Sequence, residues 1–384
     1  MRVLFLSVTA GQGHNSTARA VMSYLLDQGV ECTMLDTFRY INRVLSHSID
    51  RGYVNMTRFT PEMWGKIYDA MDEAEDSKNL NTINTLISTL LSKKMITFIQ
   101  HYRPDVVVCS HVFPALILNA LKRQNALDFN FKSIGIVTDF TIHPFWEKTG
   151  LDYFVTASEM LEYLLTKKGI GREQILPFGI PVHPKFSAQP LSKAEARKAL
   201  DIADKRTFLM MGGSMGFGNA VDVLKELDEL EEDFQILMVC GSNKRLLSRV
   251  LKLSTTTRHT ILPYGFTDQV EVMMDASDIL LTKPGGLTTS EALCKGIPMV
   301  LLEPIPGLED RNLIFLTNMG LAVRISERAP ADEVVAQLLF NEMRLGMMRY
   351  AQQQFGKRDA ARRLGEFILG LEKSREEAKF PFAD

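Results

Sequence analysis

Short apolar, β-branched runs alternate along the chain with stretches of helical spacing, the pattern left by parallel strands joined through helical crossovers. In the first half, strands are predicted at 3–8, 31–35, 106–110, 133–137 and 152–157. Between the first two, residues 16–28 carry helical spacing that ends at Gly29, the residue type favoured just past a helix. Helix breakers then crowd together from Phe178 through Pro181, Pro184 and Pro190, which predicts an interdomain linker. A second series follows, with strands predicted at 207–211, 234–240, 260–264, 279–282 and 299–302. Neither an internal repeat nor a low-complexity tract interrupts it. The expected fold class is α/β, with two doubly wound, Rossmann-like domains facing a cleft.

A length of 384 residues agrees with this, since one hydrophobic core rarely organises so long a chain. With 46% apolar and 23% charged residues, disordered, collagen-like and disulfide-scaffold classes drop out. The 44 basic residues against 46 acidic ones leave a net charge of -2, which argues against nucleic acid as a partner held by bulk charge. Cys32, Cys109, Cys240 and Cys294 lie far apart without a C-x-x-C pair, as expected of reduced thiols in a cytoplasmic protein. The first apolar run meets Gly11 too soon for a signal peptide or a membrane span, so any membrane contact is expected to be peripheral.

Four segments carry candidate chemistry. Gly11-Gln12-Gly13-His14 ends the first strand and opens a helix, where glycines permit close approach to a ligand and a helix N-terminus favours negative charge. Ser16 stands where a dinucleotide fingerprint has its third glycine, so the loop is not that motif. A capping loop with an incidental histidine explains it equally well. Lys283-Pro284-Gly285-Gly286-Leu287-Thr288-Thr289-Ser290-Glu291 makes the same junction in the second half; its paired glycines and hydroxyls suit a diphosphate, and Glu291 suits a ribose diol.

Gly212-Gly213-Ser214-Met215-Gly216 has the form of a nucleophile elbow, but His259 comes too early to complete a hydrolase triad. Ser214 is therefore read as a hydrogen-bond donor in a second glycine-rich loop. Thr138 to Trp146 ends another strand and delivers Asp139 and His143 to the sheet edge that holds His14; turn-capping and solvent exposure account for both as well. With no Asp-x-Asp and no Walker A lysine, no metal site is expected. Residues 36–70 mix Arg39, Arg51, Arg58 and Lys66 with Tyr40, Tyr53 and Trp64, as an anionic membrane surface would favour, although an inward-packed helix explains them equally well. The methionines from Met343 to Met348 read as helix packing.

In combination and order, these motifs resemble the processive diacylglycerol glycosyltransferase and monogalactosyldiacylglycerol synthase family, related to the peptidoglycan N-acetylglucosaminyltransferases, over nearly the whole chain. The segment Pro306-Gly307-Leu308-Glu309-Asp310-Arg311-Asn312 adds to the match. The resemblance implies a GT-B-type fold, with a lipid-acceptor domain at 1–184 joined by a C-terminal helix at 366–384, and a UDP-sugar-binding domain at 185–365. It implies an inverting hexosyltransferase that moves glucose or galactose from a UDP-sugar to diacylglycerol in glycolipid synthesis. The protein would be cytoplasmic and peripheral on the inner face of the cell membrane.

Carried over, His14 is the base with Asp139 in reserve, and Gly285, Gly286, Lys283 and Thr288 meet the diphosphate beside Gly212, Gly213 and Ser214. Glu291 takes the ribose, Phe266 faces the uracil, and Glu309 and Asn312 touch the sugar. No cofactor is implied beyond the UDP-sugar donor. Leu308 stands where the family carries Gln, so the choice of hexose stays open. Transfer from UDP-N-acetylglucosamine to a lipid-linked peptidoglycan precursor, a soluble epimerase and a UDP-sugar-sensing binding protein are the competing readings.

Overall fold

The computed structural model describes residues 1–8, 13–41, 93–142, 145–212, 219–305 and 307–379, with backbone alone for 38, 93, 308 and 372–379. Two six-stranded, all-parallel sheets form. The first contains β1 (Arg2–Ser7), β2 (Glu31–Asp36), β3 (Val106–Cys109), β4 (Lys132–Ile136), β5 (Tyr153–Val155) and β6 (Ile175–Leu176), in the order β2-β1-β3-β4-β5-β6. The second contains β7 (Thr207–Met211), β8 (Gln235–Val239), β9 (Thr260–Tyr264), β10 (Ile279–Thr282), β11 (Met299–Leu301) and β12 (Ala322–Arg324), in the order β12-β11-β10-β7-β8-β9.

The strands at the reversal points carry apolar cores because helices cover both faces of a parallel sheet. Val3, Leu4, Phe5 and Leu6 of β1 are all fully buried, as are Phe208, Leu209 and Met210 of β7. The edge strands β6 and β12 escape the sequence pattern, being two and three residues long. In each sheet the strand order reverses beside the first strand, between β1 and β3 and between β7 and β10. Ligands of doubly wound folds bind outside the carboxyl ends of the strands at such points.

The chain divides into two compact units, Met1–His183 with Asp359–Asp384, and Pro184–Arg358. It re-enters the first unit at Asp359, ahead of the expected 366. The Ala360–Lys379 helix places Leu364 and Ile368 in one core cluster with Val3, Phe5, Val106 and Ile134. The aromatic and basic residues expected to meet a membrane lie mostly at 42–92, outside the described residues. Among the described residues, no helix is long and apolar enough to cross a membrane.

One glycine is set by packing. A Cβ on Gly135 of β4 would come within 2.6 Å of Trp146 Cζ3 and 2.8 Å of Leu151 Cδ1. Both side chains are buried, so neither has space to yield. Gly135→Ala is expected to cost about 1 to 3 kcal/mol through overpacking, read as a lower urea midpoint. An unchanged midpoint would mean that the Trp146 ring has room to move.

Candidate active site

In each unit a helix that opens on a glycine follows a strand at the reversal point of its sheet. In the first unit, the Gly13–Asp27 helix starts just after β1, and His14 lies in its first turn. Because β3 pairs with β1, Ser110 and His111 come to the same edge. His14 Nδ1 lies 2.7 Å from the Ser110 carbonyl oxygen and 3.2 Å from Thr138 Oγ1. A carbonyl only accepts, so Nδ1 carries the proton and donates it to Ser110 O, which leaves the lone pair on Nε2.

The histidine has a fixed floor beneath it. Ser110 Oγ donates to Ser7 Oγ at 3.0 Å, and Ser7 Oγ donates to Asn15 Oδ1 at 2.6 Å, all buried. These bonds tie the ends of β1 and β3 to the first turn of the helix. The His111 ring meets His14 edge-on, with centroids 4.6 Å apart. His111 Nδ1 accepts the Phe113 N–H at 3.2 Å and so caps the Val112–Arg123 helix. Burial pushes the His14 pKa below its ordinary value, partly offset by the bond to Ser110. Asp139 is half-buried, one residue beyond Thr138; His143 lies outside the described residues.

In the second unit, the Gly286–Lys295 helix follows β10 at the other reversal point. Its first amides have no partner within the helix, and the dipole makes that end attractive to an anion. Thr289 Oγ1 and Ser290 Oγ turn back to the carbonyls of Gly285 and Gly286, both at 2.7 Å. Thr288, half-buried in the same turn, has no such bond among the described residues. The Gly285 N–H is already given to Lys283 O at 2.8 Å, so the donors left for a diphosphate are those of Gly286, Leu287 and Thr288.

Glu291 follows one turn later and is 9% exposed. Burial pushes its carboxyl up to about 8; the Glu271 carboxylate adds to this and the Lys185 ammonium works against it. Lys185 Nζ pairs with Glu271 Oε2 at 2.6 Å, so its ammonium is shared between two carboxylates. Phe266, in the loop after β9, is 78% exposed, an unusual state for a large aromatic. Gly212 is buried at the end of β7, whereas Gly213 and Ser214 lie outside the described residues.

Two expected sugar contacts have internal partners here. Glu309 is ion-paired with Lys283, and its Oε2 accepts the Ile305 N–H at 2.8 Å. Asn312 is fully buried and donates from Nδ2 to Pro284 O at 3.1 Å, so it braces the glycine loop from inside rather than presenting its amide to a sugar. Both residues follow β11 on the Leu308–Asn318 helix. His259 has no catalytic freedom: its ring stacks on Phe234 at 3.8 Å, Nδ1 meets Asp228 Oδ1 at 3.0 Å, and Nε2 meets Glu232 O at 2.9 Å. That commitment removes the hydrolase triad.

Ser7, Asn15, Ser110 and His111 are functional neighbours that sequence reading misses. The Ser-His pair at the end of an apolar run is a visible signal, but only the pairing of β3 with β1 gives it meaning.

Comparison with known proteins adds the family. Residues 14–182 match the monogalactosyldiacylglycerol (MGDG) synthase model, and residues 207–364 match the glycosyltransferase family 28 C-terminal domain. A processive diacylglycerol beta-glucosyltransferase of Bacillus pumilus is 25% identical over 370 residues, covering 96% of this chain and 94% of the relative. Among solved structures, Acinetobacter baumannii MurG aligns with a TM-score of 0.62 at 15% identity, over 96% of this chain and 99% of that one. The UDP-GlcNAc 2-epimerase of Neisseria meningitidis, bound to UDP-GlcNAc, aligns with a TM-score of 0.60 at 14% identity, over 96% and 100%. These likenesses establish a GT-B-like, two-domain α/β fold. Through these two domain matches and the near full-length relatives, the chain is similar over almost its whole length to the monogalactosyldiacylglycerol synthases and processive diacylglycerol glycosyltransferases.

Proposed function

We propose that the protein is a hexosyltransferase that moves a sugar from a UDP-sugar to the free hydroxyl of diacylglycerol, with inversion at the anomeric carbon. The observation that carries the catalytic half is the tautomer of His14. With Nδ1–H held by the Ser110 carbonyl, Nε2 is left to accept a proton at the reversal point of the first sheet.

In the step, the acceptor oxygen bonds to the anomeric carbon as the bond from that carbon to the diphosphate oxygen breaks. The hydroxyl proton passes to His14 Nε2, and UDP leaves with the bonding pair. The amides of Gly286, Leu287 and Thr288, the Thr288 hydroxyl and the helix dipole oppose the charge that develops on the diphosphate. Glu291 accepts from the ribose diol and Phe266 stacks on the uracil. Lys283, already beside Glu309, adds a cation near the same glycines.

The beta-glucosyltransferase relatives favour UDP-glucose as donor, with UDP-galactose as the alternative. A lipid acceptor requires work at a membrane surface, so the protein is proposed to be cytoplasmic and to bind the inner face of the membrane peripherally and reversibly. The deciding experiment presents diacylglycerol with UDP-glucose, UDP-galactose and UDP-N-acetylglucosamine separately and weighs the lipid product. A hexosyl-diacylglycerol is the expected product. Turnover of the nucleotide sugar alone, or transfer only to a polyprenyl-linked peptidoglycan precursor, would overturn the proposal.

A further inference from the structure

The Glu342–Phe355 helix of the second unit has a rotation that its core contacts fix. Met348 is buried in the main cluster of that unit, and fully buried Gln352 donates from Nε2 to Leu321 O at 2.8 Å. On the opposite face, Met343, Met347 and Tyr350 stand at helical spacing with exposures of 75%, 67% and 66%. Phe340, just before this helix, is 76% exposed. None of these four side chains fills the core, and four large apolar side chains this exposed at and beside one helix face are a surface that water-facing helices rarely keep.

Cations flank this stripe. Arg324, at the end of β12, and Arg344, in the first turn of the helix, both line a recess of about 300 Å³ together with Thr317 and Gln337. Neither guanidinium has an ion pair or a side-chain hydrogen bond among the described residues, whereas Arg197, Arg258 and Arg362 all do. Glu342 lies on the other flank of the helix, away from the recess. Exposed Met, Phe and Tyr beside unpaired arginines match the chemistry of an anionic bilayer, whose headgroup phosphates take the guanidinium groups while the apolar side chains enter the acyl boundary.

We propose that Phe340, Met343, Met347 and Tyr350, with Arg324 and Arg344, form a docking surface for an anionic phospholipid membrane on the nucleotide-binding unit. This rests on the proposed action at a lipid surface, and adds a second contact to the one expected at 36–70. Engagement here would hold the nucleotide-binding unit at the bilayer that supplies the lipid acceptor.

Flotation of the full chain with phosphatidylcholine vesicles, with and without phosphatidylglycerol, tests it at low and high salt. Two variants are compared with the parent: Met343→Ser/Met347→Ser/Tyr350→Ser, and Arg324→Glu/Arg344→Glu. Each is expected to lose about ten-fold or more of its partition onto phosphatidylglycerol vesicles while UDP affinity stays unchanged; two arginines near such a surface account for a factor of this size. A third variant, Arg51→Ala/Arg58→Ala/Trp64→Ala, separates the readings. If the parent and both helix variants float alike and only the third is released, the lipid-surface reading stands and this docking surface falls. If the parent never floats, both fall. A lipid-free parent that is dimeric, with helix variants that are monomeric, would reassign the stripe to contact between copies of the chain.

Discussion

His14→Ala is expected to lose glycosyl transfer by about 10²- to 10⁴-fold, the scale of a positioned general base, with UDP affinity unchanged because nucleotide and base belong to different units. The pH profile carries the sharper signature. Burial lowers the His14 pKa, so the imidazole remains neutral across the neutral range and its acidic limb falls below the ordinary value of about 6.5. Activity therefore declines only as pH drops through that lowered value, and the decline disappears in His14→Ala. Asp139→Asn is the control. A dead Asp139→Asn beside a near-parental His14→Ala would move the base to Asp139, and two active variants would remove the acceptor half of the mechanism.

UDP binding is expected to release a proton through Glu291. Unliganded, the carboxyl is held up to about 8, so it is largely protonated at neutral pH. A ribose diol donates best to the carboxylate, and binding therefore tightens as pH rises toward that value, by up to about ten-fold per unit below it, and levels off above it. The sign for the empty fold is opposite. A carboxyl with a raised pKa makes folding less favourable as pH climbs from its unfolded value, near 4.3, to about 8. Titration calorimetry at pH 7 in two buffers of different ionisation enthalpy reads the proton directly. Glu291→Gln should abolish the buffer dependence, and Glu291→Ala should in addition weaken UDP by roughly ten-fold or more, the loss of a charge-assisted hydrogen bond. Parental affinity and an undiminished proton release in a folded Glu291→Gln would remove the ribose assignment.

Both predictions draw on what a linear reading reaches and on what it misses. Strands β7 and β10 coincide with their apolar runs because a strand buried on both faces has no polar interruption to blur its ends. The three-residue β12 has no period to detect, yet its last residue, Arg324, is one of the two cations at the proposed lipid surface. His14 and the Lys283–Glu291 segment are legible as strand-end motifs. Their partners are not, since Ser110 reaches His14 only through the pairing of β3 with β1, some 96 residues away in the chain. Asn312 has the right chemistry for a sugar contact, but its burial against Pro284 O depends on the packing of a helix that sequence spacing does not orient. The methionines at 343–348 divide for a similar reason: Met348 packs inward as expected, while Met343 and Met347 face solvent.

The return of the chain to the first unit governs the order in which the protein can be made. Residues Pro184–Arg358 are contiguous and leave the ribosome as a complete unit, whereas the first sheet waits for Leu364 and Ile368 to cover it. Through most of synthesis, therefore, the face of β1 and β3 that this last helix closes has no lid, a state prone to misassembly. A premature stop just after Arg358 would spare every residue of the nucleotide-binding unit and still leave the acceptor half without its final layer. Nonsense and frameshift changes between Asp359 and Ile368 should thus be as damaging as changes at His14, though through insolubility rather than lost chemistry.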